Sequence, residues 1–592
     1  MCPNRIRRSL ILLSSILVGS LTPAPAADRP VPLAPILLET ALQEGSARAI
    51  EQYHELKRMP RGTYDTGEAQ LYLVGHRLLD EKRYGDAIAI FRLNVTLFPA
   101  SVKARDSLAE ALMRSGDRTA AANEYRRSLS LLDRDPQLSA IGKRNLRRDI
   151  TSQLMRLRIH PLYEEVVGLY HASDGRFFSI TLAERDPRRL PPALRFVEFP
   201  SGRVRTLFHR SRYSFIAGSG QMVAWPVEFR LRFDMKSSGG PALVLDESSV
   251  SMRAVRVGER TERVTFRNGS LELRGILTLP VGDGPHPVAV LLHGSGVVTR
   301  DMPGFGELAH SFLRSGFAVL RYDKRGAGDS TIGLDGRAGL VDLANDALSA
   351  ARFLRDHPAI DAERIGFLGF SEGAWVALLA ASHMRDPAFL ILVSGGGVAP
   401  WIQESYRVPA ELEADGFSSS EIIRAAEFMR VKFDVARSIV SWDEYERARS
   451  EARGTRWFPR YTGLWRSEEF ARRAWLNTLG FEPALILDRL DCPILGLFGD
   501  NDRLTPVPET VDSLRRGLEE AGHPDFSLIV FPRANHCLLE SESGSLRGGE
   551  FPRLKRYVPG VFDTLERWIV NRVRSDEEAA AEASSNNGSA RE

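Results

Sequence analysis

The chain has 592 residues, 43% of them hydrophobic and 26% charged, which is ordinary for folded protein and long enough for several domains. A formal net charge of +3 is small for this length and argues against a nucleic-acid or acidic-surface partner. No histidines follow a ligand spacing such as H-E-x-x-H, and no G-x-x-x-x-G-K-[ST] is present to cradle phosphate, so neither metal nor cofactor is expected.

The first residues read as a targeting segment. Arg5, Arg7 and Arg8 precede an apolar run from Leu10 to Leu21, and Ala24-Pro25-Ala26 supplies a small-x-small cleavage site. Residues 1–26 are therefore expected to be a signal peptide, directing the protein to the periplasm or outside the cell. Cys2 lies before the apolar run and does not fit the lipidated cysteine of a lipoprotein. No later run approaches the ~18 apolar residues of a membrane span, so no transmembrane anchor is expected after cleavage.

Residues 33–161 are patterned as helices with an internal repeat. Glu68–Ser101 and Val102–Asp135 align at a period of 34 residues: Gly75 matches Ala109, Leu78 matches Leu112, Ala87 matches Ala121, and Phe91 matches Tyr125. Pro99 closes the first unit. The pattern resembles tetratricopeptide repeats, in which small residues allow close helix crossing and an aromatic ring fills the space beside them. Asn94 and Ser128 depart from it, standing where alanine is usual. Helices over Leu42–Arg58 and Ala140–Arg158 are expected to cap the repeats. The resemblance implies either a concave surface for a protein or peptide partner, or packing and self-association.

Residues 162–259 change to a period of two. Val227-Glu228-Phe229-Arg230-Leu231-Arg232-Phe233 alternates cleanly, which predicts a strand burying Val227, Phe229, Leu231 and Phe233 on one face. Turn signals at Asp174-Gly175, Pro200-Ser201-Gly202 and Gly239-Gly240-Pro241 separate further short strands. The expectation is a small all-β module, sandwich or barrel-like, acting as a spacer or shaping the substrate site.

Residues 260–575 alternate strand and helix as a parallel sheet requires, after an opening hairpin around Asn268-Gly269. The apolar run Ile365–Leu368 precedes Gly369-Phe370-Ser371-Glu372-Gly373, and a helix over Ala374–Ala381 follows. G-x-S-x-G between strand and helix is a nucleophile elbow, a tight turn exposing Ser371 with the free N–H of Glu372 behind it. Strand Ile494–Phe498 then leads to Asp500 and Asp502, and strand Phe526–Phe531 leads to His536. A serine hydroxyl needs a base to take its proton, and the base needs a carboxylate to fix its tautomer. Upstream, strand Val288–Leu292 ends in His293-Gly294-Ser295-Gly296, where a second oxyanion donor belongs, expected to be the backbone N–H of Ser295. Strand Phe317–Asp323 runs into Asp323-Lys324-Arg325-Gly326-Ala327-Gly328-Asp329-Ser330, similar to a D-x-R-G-x-G-x-S segment that supports such sites without reacting. Cys492 begins one strand while Cys537 lies beyond the end of another. A five-residue strand is ~17 Å long against a limit of ~7 Å between bridged Cα atoms, so two free thiols are expected.

From Arg263 to Arg574 these segments resemble serine-dependent α/β-hydrolases, close to bacterial carboxylesterases and the monoglyceride-lipase and serine-aminopeptidase group. The resemblance favours Asp502 over Asp500 as the acid, because Asp502 sits four residues before Pro506, as in the family pattern G-x-x-D-x-x-x-P. Ala374 departs from the family, where a second glycine often follows the elbow. The resemblance also implies that residues 398–486 form a helical cap, carrying Trp401, Trp442, Trp457, Trp465, Trp475, Tyr406, Tyr445 and Tyr461. Most of these should build the cap's own core and a few should line an apolar acyl pocket. Residues 576–592 read as a disordered tail. The expected activity is hydrolysis of carboxylic esters through an acyl-enzyme, with Ser371, Asp502 and His536 as triad and Glu372 and Ser295 as oxyanion donors. An aminopeptidase, amidase, thioesterase or acyltransferase would share that triad, and an interaction protein with an inactive hydrolase fold is the alternative outside catalysis.

Overall fold

The computed structural model describes residues 30–135, 162–183, 193–237, 240–331, 338–458 and 461–571, with isolated positions between 143 and 154. The expected signal peptide, most of the helix expected over Ala140–Arg158 and the acidic tail lie outside the described residues. The chain forms two compact units that divide after Lys143.

The N-terminal unit is helical: α1 (Ala34–Gln43), α2 (Ser46–Lys57), α3 (Glu68–Asp80), α4 (Tyr84–Leu97), α5 (Val102–Arg114) and α6 (Arg118–Leu131). Two short strands, β1 (Val31–Pro32) and β2 (Tyr64–Asp65), pair in parallel beside α1 and α2. The helix expected over Leu42–Arg58 is shorter. Gly45, at φ 95°, ends α1 and lets α2 start at Ser46. Gly75 faces the Phe91 ring so closely that a Cβ there would stand 2.4 Å from it, which is how α3 and α4 approach one another. The two polar residues at alanine positions each donate to a backbone carbonyl. Asn94 donates to the Glu68 carbonyl (3.4 Å) and Ser128 to the Val102 carbonyl (3.0 Å), each tying a second helix to the start of the first.

The second unit opens with a closed antiparallel barrel of β3 (Gly168–Ala172), β4 (Phe177–Ala183), β5 (Ala193–Phe199), β6 (Val204–Ser211), β7 (Ser214–Gly218), β8 (Val227–Asp234), β9 (Ala242–Glu247) and β10 (Val250–Arg256). Each strand pairs with the next, and β10 closes on β3, so no edge is left exposed. The interior is packed with Tyr170, Phe178, Phe196, Phe215, Phe229 and Leu231. Phe229, Leu231 and Phe233 are buried as the alternation predicts, but Val227 is only half-buried. A bulge shifts the pairing there, with Gly218 opposite Val227 and Ala217 opposite Phe229.

The remainder is an eight-stranded sheet in the order β11-β12-β14-β13-β15-β16-β17-β18, flanked by helices. The strands are β11 (Arg260–Asn268), β12 (Leu271–Leu279), β13 (His286–Leu292), β14 (Ala318–Tyr322), β15 (Ile360–Phe370), β16 (Leu390–Val393), β17 (Ile494–Gly499) and β18 (Phe526–Phe531). The β11–β12 and β12–β14 pairs are antiparallel and the other five are parallel, so every strand but β12 ends along one edge. Helices α7 (Phe305–Arg314), α8 (Leu340–Arg355), α9 (Glu372–Ala381), α14 (Val507–Glu520) and α15 (561–571) surround the sheet. Between β16 and β17 lies a helical insertion with α10 (Pro400–Ala414), α11 (Ser419–Ala436), α12 (Trp442–Ala452) and α13 (Glu468–Ala474). Among the described residues no helix is long and apolar enough to cross a membrane. Cys492 and Cys537 are not joined in a disulfide.

Barrel and sheet share one hydrophobic cluster, in which Leu169, Val197, Phe199 and Val204 pack with Phe305, Phe312 and Phe562. A buried polar group crosses the same junction. The Arg195 guanidinium of β5 pairs with Glu307 of α7 and donates to the Tyr557 hydroxyl at 3.0 Å. Replacing one partner of a buried pair strands the other charge, a loss of about 3–5 kcal/mol. Arg195→Met should therefore lower the denaturant midpoint of the protein clearly, whereas a midpoint unchanged from the parent would show the junction to be loosely held.

Candidate active site

The turn after β15 is set by sterics. Ser371 adopts φ 56° and ψ −117°, a conformation that costs a non-glycine residue about 1–3 kcal/mol. A Cβ on Gly369 would lie 2.0 Å from the Gly373 carbonyl oxygen, and one on Gly373 would lie 2.1 Å from that of Leu292. Only glycine fits at either place, so the chain can fold back on itself and on the end of β13. The Ser371 N–H donates to the Val393 carbonyl at 2.8 Å, which fastens the elbow to β16. Glu372 is the first residue of α9, so no carbonyl within the helix accepts its N–H. The positive end of the helix dipole points the same way.

Two further loops converge on this edge. Asp502, past the end of β17, is buried, and its Oδ2 lies 2.7 Å from Nδ1 of His536, past the end of β18. Its other oxygen accepts the N–H groups of Leu504 (2.7 Å) and Thr505 (3.0 Å), so the carboxylate is held by three contacts. Thr505 donates through its hydroxyl to the Ser394 carbonyl at 3.0 Å, joining the acid loop to the end of β16. The Asn535 side chain accepts the N–H groups of Cys537 and Leu539 and so shapes the turn that carries His536. The His536 ring lies 5.2 Å, centroid to centroid, from the ring of Phe370, the residue before Ser371. Asp500 is placed differently: it is exposed and accepts the Arg533 N–H at 2.6 Å, bracing the loop. The geometry brings Asp502 to His536 and leaves Asp500 out.

The loop after β13 carries Ser295 at the surface, next to buried Gly294. His293 donates from Nε2 to the Tyr322 carbonyl at 2.5 Å, and burial, with the nearby Lys324 charge, pushes its pKa down to about 3. It is a neutral strut between β13 and β14. Asp323 accepts the N–H groups of Arg300 and Asp329 at 2.9 Å each, and burial raises its pKa to about 6 despite the Arg300 charge. Lys324 is the residue here whose position the sequence does not announce. Its Nζ donates to the Gly294 carbonyl at 3.1 Å and to Glu372 Oε1 at 2.5 Å, and Glu372 stands 48 positions away.

Above the edge, the Tyr406 hydroxyl of α10 donates to the Asp502 carbonyl at 3.0 Å. Tyr445, Trp457, Tyr461 and Trp465 are buried in the insertion's own core, whereas Trp401, Trp442 and Trp475 are half-buried. Four acids at the elbow and in the insertion, the candidates for meeting a substrate ammonium, are each paired with a cation. Glu372 holds Lys324, Glu404 holds Arg407 (2.8 Å), Glu411 holds Arg407 (2.5 Å) and Arg547 (2.8 Å), and Glu413 holds Arg503 (3.3 Å). Among the described residues no three His, Cys, Asp or Glu side chains cluster as metal ligands.

Residues 289–545 match the model of the Alpha/beta hydrolase family, and the C-terminal half of the chain carries that domain. Esterase EstD of Thermotoga maritima is 24% identical over 307 residues, covering 50% of this chain and 65% of its own length. The uncharacterized peptidase YtmA of Bacillus subtilis is 31% identical over 147 residues, covering 24% of this chain and 53% of the relative. The chain thus spans less than two thirds of the length of these curated relatives. Among solved structures, Est1E of Butyrivibrio proteoclasticus with ferulic acid bound is similar at 15% identity and a TM-score of 0.34, covering 53% of this chain and 98% of its own.

Proposed function

We propose that the α/β-hydrolase domain is a serine esterase. The observation that carries this reading is the buried Asp502–His536 pair, 2.7 Å apart, at the same sheet edge as the strained elbow of Ser371. His536 uses Nδ1 toward Asp502, which leaves Nε2 to accept the Ser371 proton. Ser371 Oγ attacks the acyl carbonyl, and the N–H groups of Glu372 and Ser295 hold the oxygen that becomes negative. The imidazolium protonates the departing alcohol, and water, deprotonated by the same histidine, releases the acid. Asp502 keeps the tautomer and offsets the imidazolium charge.

Peptidase chemistry is the second reading, favoured by the likeness to YtmA. An exo-aminopeptidase must bind a free ammonium with a carboxylate. The arginine and lysine partners of Glu372, Glu404, Glu411 and Glu413 tell against it. Purified protein should turn over p-nitrophenyl esters of short to medium chain with kcat/KM at least tenfold above that on aminoacyl anilides. Tenfold is only ~1.4 kcal/mol of discrimination, so a modest preference is measurable. Faster cleavage of a free-amine anilide would make this an aminopeptidase.

The signal-like segment supports export, and the helical pairs support a tetratricopeptide-like surface for a protein partner or for self-association. Thioester substrates fit the same triad.

A further inference from the structure

We infer that Lys324 is a positioning residue that builds both halves of the oxyanion hole. The inference rests on the reading that the Glu372 and Ser295 N–H groups receive the oxyanion. The Gly294 carbonyl and the Ser295 N–H belong to one peptide unit. An ammonium donating to that carbonyl draws electron density along the amide and makes the N–H at its other end a stronger donor. It also fixes the direction in which that N–H points.

Lys324 makes three contacts that together leave the loop little freedom. Its backbone N–H donates to the Val298 carbonyl at 3.1 Å, and its Nζ donates to the Gly294 carbonyl at 3.1 Å. Both ends of the stretch from Gly294 to Val298 thus hang on one residue. The third contact, Nζ to Glu372 Oε1 at 2.5 Å, reaches across to the start of α9. The residue after the serine is thereby tied to the peptide unit that faces it. Both side chains are largely sheltered, Lys324 at 11% and Glu372 at 19% exposure, where a charged contact is screened less than on the open surface. The Glu372 carboxylate has a second consequence. It neutralises the ammonium in the ground state, while the charge still polarises the Gly294–Ser295 peptide.

Lys324→Met keeps most of the length of the side chain and removes the charge. The expected result is a kcat on a p-nitrophenyl ester lower by about 10- to 100-fold, short of the 10²–10³ lost when an oxyanion donor is deleted outright. KM should stay within about threefold, because the contact matters where charge develops and not in ground-state binding. Binding of an aryl trifluoromethyl ketone, which forms a tetrahedral adduct with a serine, should weaken by the same factor as kcat/KM. Lys324→Arg should recover most of the rate, since a guanidinium can also donate to both partners.

The double variant Lys324→Met/Glu372→Gln separates positioning from structural support. It strands no carboxylate, so if the pair served stability alone the double variant would regain the parent rate. Under the present inference it stays slow although its melting temperature recovers. A double variant turning over within twofold of the parent would overturn the inference and leave the serine mechanism standing. The serine mechanism is tested apart, by Ser371→Ala: turnover persisting there would remove the oxyanion hole from this place whatever Lys324 does. Should the single variant not fold, the double variant and Lys324→Arg carry the comparison.

Discussion

Ser371→Ala is expected to abolish ester hydrolysis while the protein stays folded. The substitution removes one oxygen from a half-buried turn, and no hydrogen bond that fastens the elbow uses the hydroxyl: the bond to β16 runs through the Ser371 backbone N–H. Alanine meets the same positive φ, 56°, and bears the same strain, so stability should barely change. The rate should fall far more, because losing the nucleophile of a triad costs on the order of 10⁶ in kcat. A fluorophosphonate probe gives an independent readout, since it bonds to an activated serine without needing a good substrate. The parent should be labelled and the variant should not. Retained labelling together with retained turnover would move the nucleophile elsewhere in the chain.

The turn at Ser371 was legible because its cause is local. Two glycines flanking a serine between an apolar run and a helix are what a turn with 2.0 Å and 2.1 Å clearances for absent Cβ atoms demands. The strands were legible for a similar reason, since β13, β15, β16 and β17 are buried along most of their length and read as continuous apolar runs. Closure of the barrel was not legible. Alternation in β8 reports which residues face inward, but the pairing of β10 with β3 joins segments far apart in sequence, and no local pattern distinguishes it from a sandwich. The bulge opposite Gly218 is equally hidden, so Val227 is half-buried where the alternation predicts full burial. At the break between α1 and α2 the signal was present in Gly45, a helix-ending residue inside an apolar pattern that continued past it. Lys324 lies inside a recognisable motif, but its contact with Glu372 is a product of the sheet order: β14 and β15 flank β13, so the loops after all three strands meet.

For the acid, Asp502→Asn should be far more damaging than Asp500→Asn. An asparagine at 502 keeps the size of the side chain and can keep one acceptor for the N–H groups of Leu504 and Thr505, so the loop should hold its shape. What it loses is the charge 2.7 Å from His536 Nδ1. An amide turned to accept those N–H groups presents its NH₂ to the ring, which favours the tautomer with the proton on Nε2. That nitrogen can then no longer take the serine proton, and the imidazolium has no counter-charge. In the serine-protease triad the same change costs ~10⁴ in kcat, and a similar loss is expected here. At position 500 the carboxylate accepts the Arg533 N–H, which an asparagine oxygen also does, so activity should stay within about threefold. Equal losses at 500 and 502 would mean that the loop conformation, and not the charge beside His536, governs the rate.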